Sequence, residues 1–310
     1  MQVIRELKEF AAPWEAAVLT LGVFDGMHRG HQALIERVQK RSRRDDRARL
    51  LVTYHPHPDL VLGKRDGRKG SELFTYEEKI SLFEPYNLDA VIFLPFTLEL
   101  ARMTALRYLK DILLSKLHAS HIIIGYDQRF GRGRKGDFHF LKTMSRRYDY
   151  RVERIAAVRY RGEVVSSSRI RALIREGEMH RANRLLGHDF FVTGIVVRGD
   201  RRGRDLGFPT ANLLWPESKI LPGRGVYTAI AEWNGRRYRA MVNIGTNPTF
   251  EESVGYKVEA HLLDFEGDLY GSGIKLYFQK RLRDEVKFDS VEAFKSQLER
   301  DRRAAAKLKL

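Results

Sequence analysis

Residues 22–31 read GVFDGMHRGH, set between an apolar run, AAVLTL (16–21), and a helix-like segment, QALIERVQKRSRR (32–44). A strand that turns into a helix needs one flexible glycine, or two. It does not need Gly22, Gly26 and Gly30 together with Asp25, His28 and His31. A glycine-rich turn of this kind offers backbone N–H groups and the positive end of a helix dipole to a phosphate. His28 and His31, three apart, fall at the start of that helix. Two imidazoles there can donate hydrogen bonds to phosphate charge that grows during a substitution.

Outward from this stretch, strand and helix patterns alternate. VLTLGVF (18–24), LLVTY (50–54), AVIFL (90–94) and HIIIG (121–125) are continuous apolar runs of the sort that parallel strands show when both faces are buried. Helical patterns lie between them: HQALIERVQKRSRR, YEEKISLFEPY and ALRYLKDILLSKL. That order predicts a doubly wound parallel sheet, whose ligands sit beyond the carboxyl ends of the strands. The glycine-histidine turn occupies that position on the first apolar run.

After about residue 187 the pattern changes. FFVTGIVVR, VYTAIAEW, RYRAMVNIG, YKVEAHLLDF and GIKLYFQ read as strands separated by Gly, Asn and Asp turns, with one helix, VEAFKSQLERDRRAAAKL, at the end. This predicts an antiparallel, barrel-like domain with a terminal helix. The helical stretch SRIRALIREGEMHRANRLLG closes the first domain in this reading, giving domains of 1–187 and 188–310.

A chain of 310 residues is longer than one compact core usually needs, which agrees with two domains. There is no cysteine, so disulfides, thiolate catalysis and Cys-based zinc sites are excluded. The N-terminus carries acidic residues and no long apolar segment, and no run approaches the roughly 18 residues of a spanning helix. A soluble cytoplasmic protein with no membrane partner is expected. Lys and Arg outnumber Asp and Glu by 56 to 40, a net charge of +16 that favours anionic partners. No aromatic-rich nucleic-acid motif accompanies the charge, so nucleic acid is not expected as a partner. The oligomeric state is not readable.

Other stretches carry chemistry. SSSRIRALI reads as a second phosphate grip at a helix start: Ser167 and Ser168 cap, while Arg169 or Arg171 meets phosphate oxygens. A serine cap explains the serines equally well. GRGRKGD (131–137) imitates a phosphate loop but lacks the Walker A spacing. Asp127, just before it, is either a nucleotide contact or a turn residue. In LGFPTANL (206–213), Thr210 and Asn212 are neutral oxygen donors suited to Mg²⁺ carried by ATP. The preceding GDRRGRDLG, with Gly203, Arg204 and Gly207, reads as a phosphate-covering loop that Pro209 ends. In VEAHLLDF (258–265), alternation puts Val258, Ala260 and Leu262 on one face and Glu259 and His261 on the other. A carboxylate held on a strand can take the proton of an attacking hydroxyl. His261 reads as structural.

Taken together, G-x-F-D-G-x-H-x-G-H with TYHPHP (53–58), IGYDQRFGRGRKGD (124–137) and VSSSRIR (165–171) resembles the nucleotidyltransferase superfamily in the form carried by bacterial FAD synthetases. GDRRGRDLGFPTANL (199–213), GVYTA (225–229), NIGTNPTF (243–250), VEAHLLDF, DLYG (268–271) and LRDEVKF (282–288) are similar to a riboflavin kinase domain. The resemblance, to the bifunctional riboflavin kinase/FAD synthetase family, spans nearly the whole chain. It implies phosphorylation of riboflavin to FMN and adenylylation of FMN to FAD, with ATP and Mg²⁺. Riboflavin, FMN and ATP are the implied small-molecule partners, and the flavin is substrate and product. It implies Glu259, His28 and His31 as catalytic. It implies Gly22, Phe24, Asp25, Gly26, Gly30, Asp127, Ser167, Ser168, Arg169, Arg171, Gly203, Arg204, Gly207 and Pro209 around nucleotide, and Thr210 and Asn212 at the metal. Flavin contacts are implied at His57, Phe130, Tyr227, Arg283 and Glu285. Gln128 and Ser168 depart from the family pattern, which more often has Phe and Thr there. A nucleotidyltransferase for another phosphate acceptor, or a basic RNA-binding or regulatory protein on an inactive scaffold, are the rivals. The kinase-like second half speaks against the first, and turnover of riboflavin with Mg·ATP to FMN and FAD separates the second.

Overall fold

The computed structural model describes residues 1–7, 10–63, 71–199, 207–246 and 256–310. Two compact units emerge: Met1–Arg68 with Phe74–Ser166, and Lys69–Leu73 with Ser167–Leu310.

The first unit runs β1 (Gln2–Ile4), β2 (Ala17–Leu21), α1 (Arg29–Asp45), β3 (Ala48–His55), α2 (Pro58–Val61), α3 (Tyr76–Phe83) and β4 (Ala90–Pro95). Then come α4 (Leu98–Arg102), α5 (Ala105–Arg107), a π-helical stretch Tyr108–Lys116, β5 (Ala119–Gly125), α6 (Phe138–Met144), β6 (Arg151–Ile155), β7 (Arg159–Tyr160) and β8 (Glu163–Val164). Six strands form one sheet in the order β1-β4-β3-β2-β5-β6, every pairing parallel. Alternate residues of β2 feed two separate cores. Ala17, Leu19 and Leu21 join Tyr108, Leu109 and Leu113 on one side, while Val18 joins Ile35, Val38 and Phe83 on the other. A strand buried on both faces is apolar at nearly every position, Thr20 being the one polar residue of AVLTL, which is why the run was legible. The edge strands β1 and β6 were not anticipated, because their half-exposed residues interrupt the apolar pattern.

From β2 the chain steps one way through β3 to β4, then returns to β5 on the other flank of β2. The carboxyl ends of β2 and β5 therefore bracket the point where the order reverses, the place where open α/β sheets bind ligands.

The second unit begins with α7 (Ser167–Arg175) and α8 (Met179–Leu186). The strands β9 (Phe191–Val197), β10 (Ala211–Leu214), β11 (Gly225–Trp233), β12 (Arg236–Thr246), β13 (Tyr256–Leu262) and β14 (Gly273–Arg283) follow. They close into an antiparallel barrel in the order β10-β13-β12-β11-β14-β9, and α9 (Val291–Ala306) ends the unit. Closure leaves no strand edge unpaired.

By compactness the units divide after Ser166, so α7 and α8 pack with the barrel. The cause is the apolar face of α8, where Met179, Ala182, Leu185 and Leu186 are buried, reinforced by Asn183. The Asn183 amide donates to the Phe278 carbonyl at 2.8 Å and its oxygen accepts from the Phe190 N–H at 2.9 Å. Residues 71–73 also belong here: the N–H groups of Ser71 and Glu72 donate to the Ser218 carbonyl at 2.9 and 2.8 Å. Lys219, only 1% exposed, donates to the Leu73 carbonyl at 2.6 Å and lies 4.5 Å from the Phe190 ring centroid.

A fragment starting at Ser167 is accordingly expected to outlast one starting at His188. The shorter piece loses the eight buried side chains of α7 and α8, the large apolar ones each worth about 1.5–3 kcal/mol, and leaves the Phe190 N–H without its acceptor. Urea unfolding followed by circular dichroism checks this; equal midpoints for the two fragments would refute it.

Candidate active sites

In the first unit the turn between β2 and α1 is built around His28. Its backbone is extended (φ −66°, ψ 168°), and its Nδ1 accepts the His31 N–H at 3.3 Å, capping α1. An accepting Nδ1 leaves the proton of the neutral ring on Nε2. The His31 ring stacks on the His28 ring, centroids 3.7 Å apart and planes 15° apart, with Phe24 4.8 Å behind it. Gly30 keeps this packing loose: a Cβ there would lie a tight 3.1 Å from the His28 ring. Phe24 and Met27 hold positive φ (47° and 44°), and Gly26 sits at 107°. Two non-glycine residues in the left-handed region are a strained turn of the kind that clusters at binding sites. No acidic residue occupies the first turn of α1, so the helix start keeps its positive end. Asp25 and His28 are buried, and the His31 Nδ1 is fully occluded with no hydrogen-bond partner.

Gly22 and Asp127 close the same end of the sheet. Gly22 donates to the Val52 carbonyl at 3.0 Å, and a Cβ on it would lie 3.2 Å from the Phe24 ring and 3.5 Å from the Gln128 Oε1. Gln128, one of the two departures from the family pattern, thus lies against the glycine turn itself. Asp127 is exposed just past β5. Two of the expected flavin contacts, His57 and Phe130, belong to this unit. His57 is buried and caps α2, its Nδ1 accepting the Asp59 N–H at 3.1 Å. Phe130 is buried 5.1 Å from Tyr108 and 6.1 Å from Phe140. Ser167, Ser168, Arg169 and Arg171 lie on α7, in the second unit. Arg171 is buried and its Nε donates to the Ser71 carbonyl at 3.0 Å.

In the second unit a cavity of about 380 Å³ opens among Thr210, Asn243, Glu259, His261, Arg283 and Glu285, with Phe208, Met241 and Phe288 on its apolar side. Strand register assembles it. Glu259 on β13 stands opposite Asn212 on β10 and opposite Asn243 on β12, so three polar residues run side by side across three strands. Paired residues in a sheet point to the same face. The Asn212 Oδ1 is buried with no hydrogen-bond partner. Lys257 pairs with Glu259 at 3.1 Å, and Asn243 donates to Glu285 at 3.3 Å. Gly245 makes room for that carboxylate, since a Cβ there would collide with the Glu285 Oε1. Arg283 is fixed by Asp301, 4% exposed, whose Oδ2 accepts from both Nε (2.9 Å) and Nη2 (2.8 Å).

Of the other expected residues, Gly203 and Arg204 lie outside the described residues. Gly207, at φ 82°, and Pro209 lead into β10. Tyr227 is fully buried away from the cavity; it donates to the Gly223 carbonyl, and burial pushes its hydroxyl up to about 12. Sequence reasoning missed Asn243, Lys257 and Asp301. Lys257 was within reach of the period-2 argument that singled out Glu259; Asn243 and Asp301 needed the register and the fold.

Comparison with known proteins agrees with this two-site division. An FAD synthetase family model matches residues 11–169 and a riboflavin kinase model matches 186–309. The bifunctional riboflavin kinase/FMN adenylyltransferase of Bacillus subtilis (strain 168) is 34% identical over 93% of this chain and 91% of its own. The chain belongs to the bifunctional riboflavin kinase/FMN adenylyltransferase family. The Escherichia coli (strain K12) member is 34% identical over 97% of this chain and 96% of its own. A crystal structure described as a macrolide-efflux protein from Streptococcus pneumoniae superposes with a TM-score of 0.90, 30% identity and full coverage of both chains. Among the described residues, no helix is long and apolar enough to cross a membrane. With both family domains present, the chain carries both activities: ATP-dependent phosphorylation of riboflavin to FMN, and adenylylation of FMN to FAD with release of pyrophosphate.

The stacked imidazoles carry a pH signature. Burial holds His31 well below the usual imidazole value, and charge on His28 and Lys79 pushes the same way. The unfolded ring titrates near about 6.5, so just below that pH the unfolded chain binds more protons than the folded one. Stability from this group is therefore complete above about pH 6.5 and is lost as the pH falls. His31→Asn is expected to flatten, without abolishing, the acid loss of the full chain, because His121 and His261 are lowered too. Urea midpoints between about pH 7 and pH 5 test it; an unchanged slope would count against the assignment.

Proposed function

We propose that the barrel cavity is the riboflavin kinase site, with Glu259 as general base. The row of Asn212, Glu259 and Asn243 on three neighbouring strands supports this most, because a rigid sheet holds a base where an attacking hydroxyl must meet it. Glu259 takes the proton of the ribityl 5′-hydroxyl as that oxygen attacks the γ-phosphorus of ATP, and ADP leaves. Arg283 and Glu285, at the cavity wall, bind the flavin. The orphaned Oδ1 of Asn212 and the hydroxyl of Thr210 fit a hard cation, and together they would hold Mg²⁺. The ion, when bound, neutralises phosphate charge.

The second reaction belongs to the turn at the reversal point of the parallel sheet. A phosphate oxygen of FMN attacks the α-phosphorus of ATP, and the bond to pyrophosphate breaks. His28, with its proton on Nε2, and His31 stabilise the charge that develops, alongside the start of α1. Asp127 and the glycines of 22–30 bind nucleotide. The reading assigns residues 1–187 to adenylylation and 188–310 to phosphorylation, even though α7 and α8 pack with the barrel unit, and places the enzyme in the cytoplasm.

Two variants separate the sites. Glu259→Gln keeps the size of the side chain but cannot take a proton, and is expected to slow FMN formation by about 10²–10⁴-fold while FAD formation from supplied FMN continues. His28→Ala with His31→Ala is expected to accumulate FMN, since loss of one preorganised donor alone costs about 10²–10³ in rate. Product chromatography with riboflavin, and separately with FMN, reads both. A Glu259→Gln protein unable to make FAD from FMN would break the division of labour.

Metal dependence is a separate test. EDTA is expected to stop FMN formation, and added Mg²⁺ to restore it. Undiminished phosphorylation in EDTA would remove Thr210 and Asn212 from their proposed role.

A further inference from the structure

Thr210 stands just outside the strand ladder. The pairing of β10 with β13 begins at Ala211 opposite Ala260, one residue later. Pro209 has no N–H with which to anchor the loop itself. Its carbonyl oxygen is nevertheless held: the Nδ1 of His261 lies 2.8 Å away. A carbonyl oxygen can only accept, so Nδ1 carries the proton. Burial lowers the pKa of His261, so the ring is neutral at pH 7 and that proton is its single one.

The ring that makes this bond is itself gripped. Phe208 meets it edge-on, with centroids 5.3 Å apart, and Met241 is its cross-strand neighbour on β12. Phe208 and Met241 in turn pack with Leu263 and Ala305 in one buried cluster. The held carbonyl belongs to the peptide whose nitrogen is that of Thr210. Because a peptide is planar, fixing its oxygen fixes the plane on which the Thr210 Cα sits.

We infer that His261 is a positioning residue of riboflavin phosphorylation: through the Pro209 carbonyl it locks the Pro209–Thr210 peptide and so holds Thr210 on the cavity wall it shares with Glu259. The inference rests on the metal role proposed for Thr210. In effect a side chain extends the ladder by one residue, at the place where proline prevents the backbone from doing so. Without it, the Thr210 hydroxyl must be ordered at each turnover, and that ordering opposes binding.

Three variants of the full chain test this. His261→Phe keeps a ring against Phe208 and removes the donor; His261→Asn returns an N–H near the Nδ1 position. The Phe variant is expected to lose about 10- to 100-fold in phosphorylation, mainly as a raised KM for Mg·ATP, with adenylylation of supplied FMN unchanged. The Asn variant is expected to recover most of that loss. Added to Thr210→Val, His261→Phe is expected to cost nothing more. A wild-type KM in the Phe variant, or no rescue by Asn, overturns the proposal. So do additive losses when Thr210→Val is itself impaired. If Thr210→Val behaves as wild type, the metal reading of Thr210 falls first, and this proposal falls with it. Should the Phe variant fail to fold, ¹⁵N NMR of the histidine rings in the unmodified chain decides: the Nδ1–H tautomer of His261 supports the proposal and the Nε2–H tautomer refutes it.

Discussion

A helix start needs an acceptor for its first N–H groups, and in the sheet domain that acceptor is the imidazole of His28. Most caps are hydroxyls or carboxylates. A carboxylate would cancel the positive end of the helix; a neutral ring satisfies the N–H and leaves the field intact. The remaining features of the site follow from that choice. A side chain at Gly30 would press on the ring that lies across the helix start. His31 stacks on His28, and the chain reaches both through the left-handed turn at Phe24 and Met27.

The barrel solves a different problem with a different device. Its residues are collected by register rather than by a turn, so they come from strands far apart in sequence. Glu259 acquires its neighbours Asn212 and Asn243 because β13 lies between β10 and β12. The terminal helix contributes through one buried carboxylate, Asp301, which pins Arg283 from behind. A closed barrel cannot slide one strand without breaking the ladder on both sides, which gives the site its rigidity.

How much of this could be read in advance depended on whether the signal was local. The central strands were legible because burial on both faces leaves an unbroken apolar run; β1 and β6 escaped because an edge strand is only half buried. Glu259 was legible from period-2 alternation joined to a family resemblance. Asn243 was not, since nothing near it in sequence marks it as the neighbour of Glu259. Arg171 shows the same limit from the other direction. Its motif suggests a phosphate grip, but its Nε reaches a carbonyl 100 residues earlier, a partner that no local pattern could disclose. His261 looked like packing because alternation gives the face of a strand and not the atom that a side chain meets.

The short segment 71–73 has a consequence for how such a protein can be recombined. Because the second unit takes up residues from within 69–73 as well as everything from Ser167 onward, the chain passes between units three times rather than once. Two halves exchanged at a single crossover would bring together a 71–73 segment and a 218–220 segment that had never met. The N–H groups of Ser71 and Glu72, and the ammonium of Lys219, would then face backbone of untested shape. Selection on the kinase half therefore reaches back into the other half of the gene, and a shuffled pair inherits its fit at Ser218 and Lys219 only if that small segment travels with the barrel.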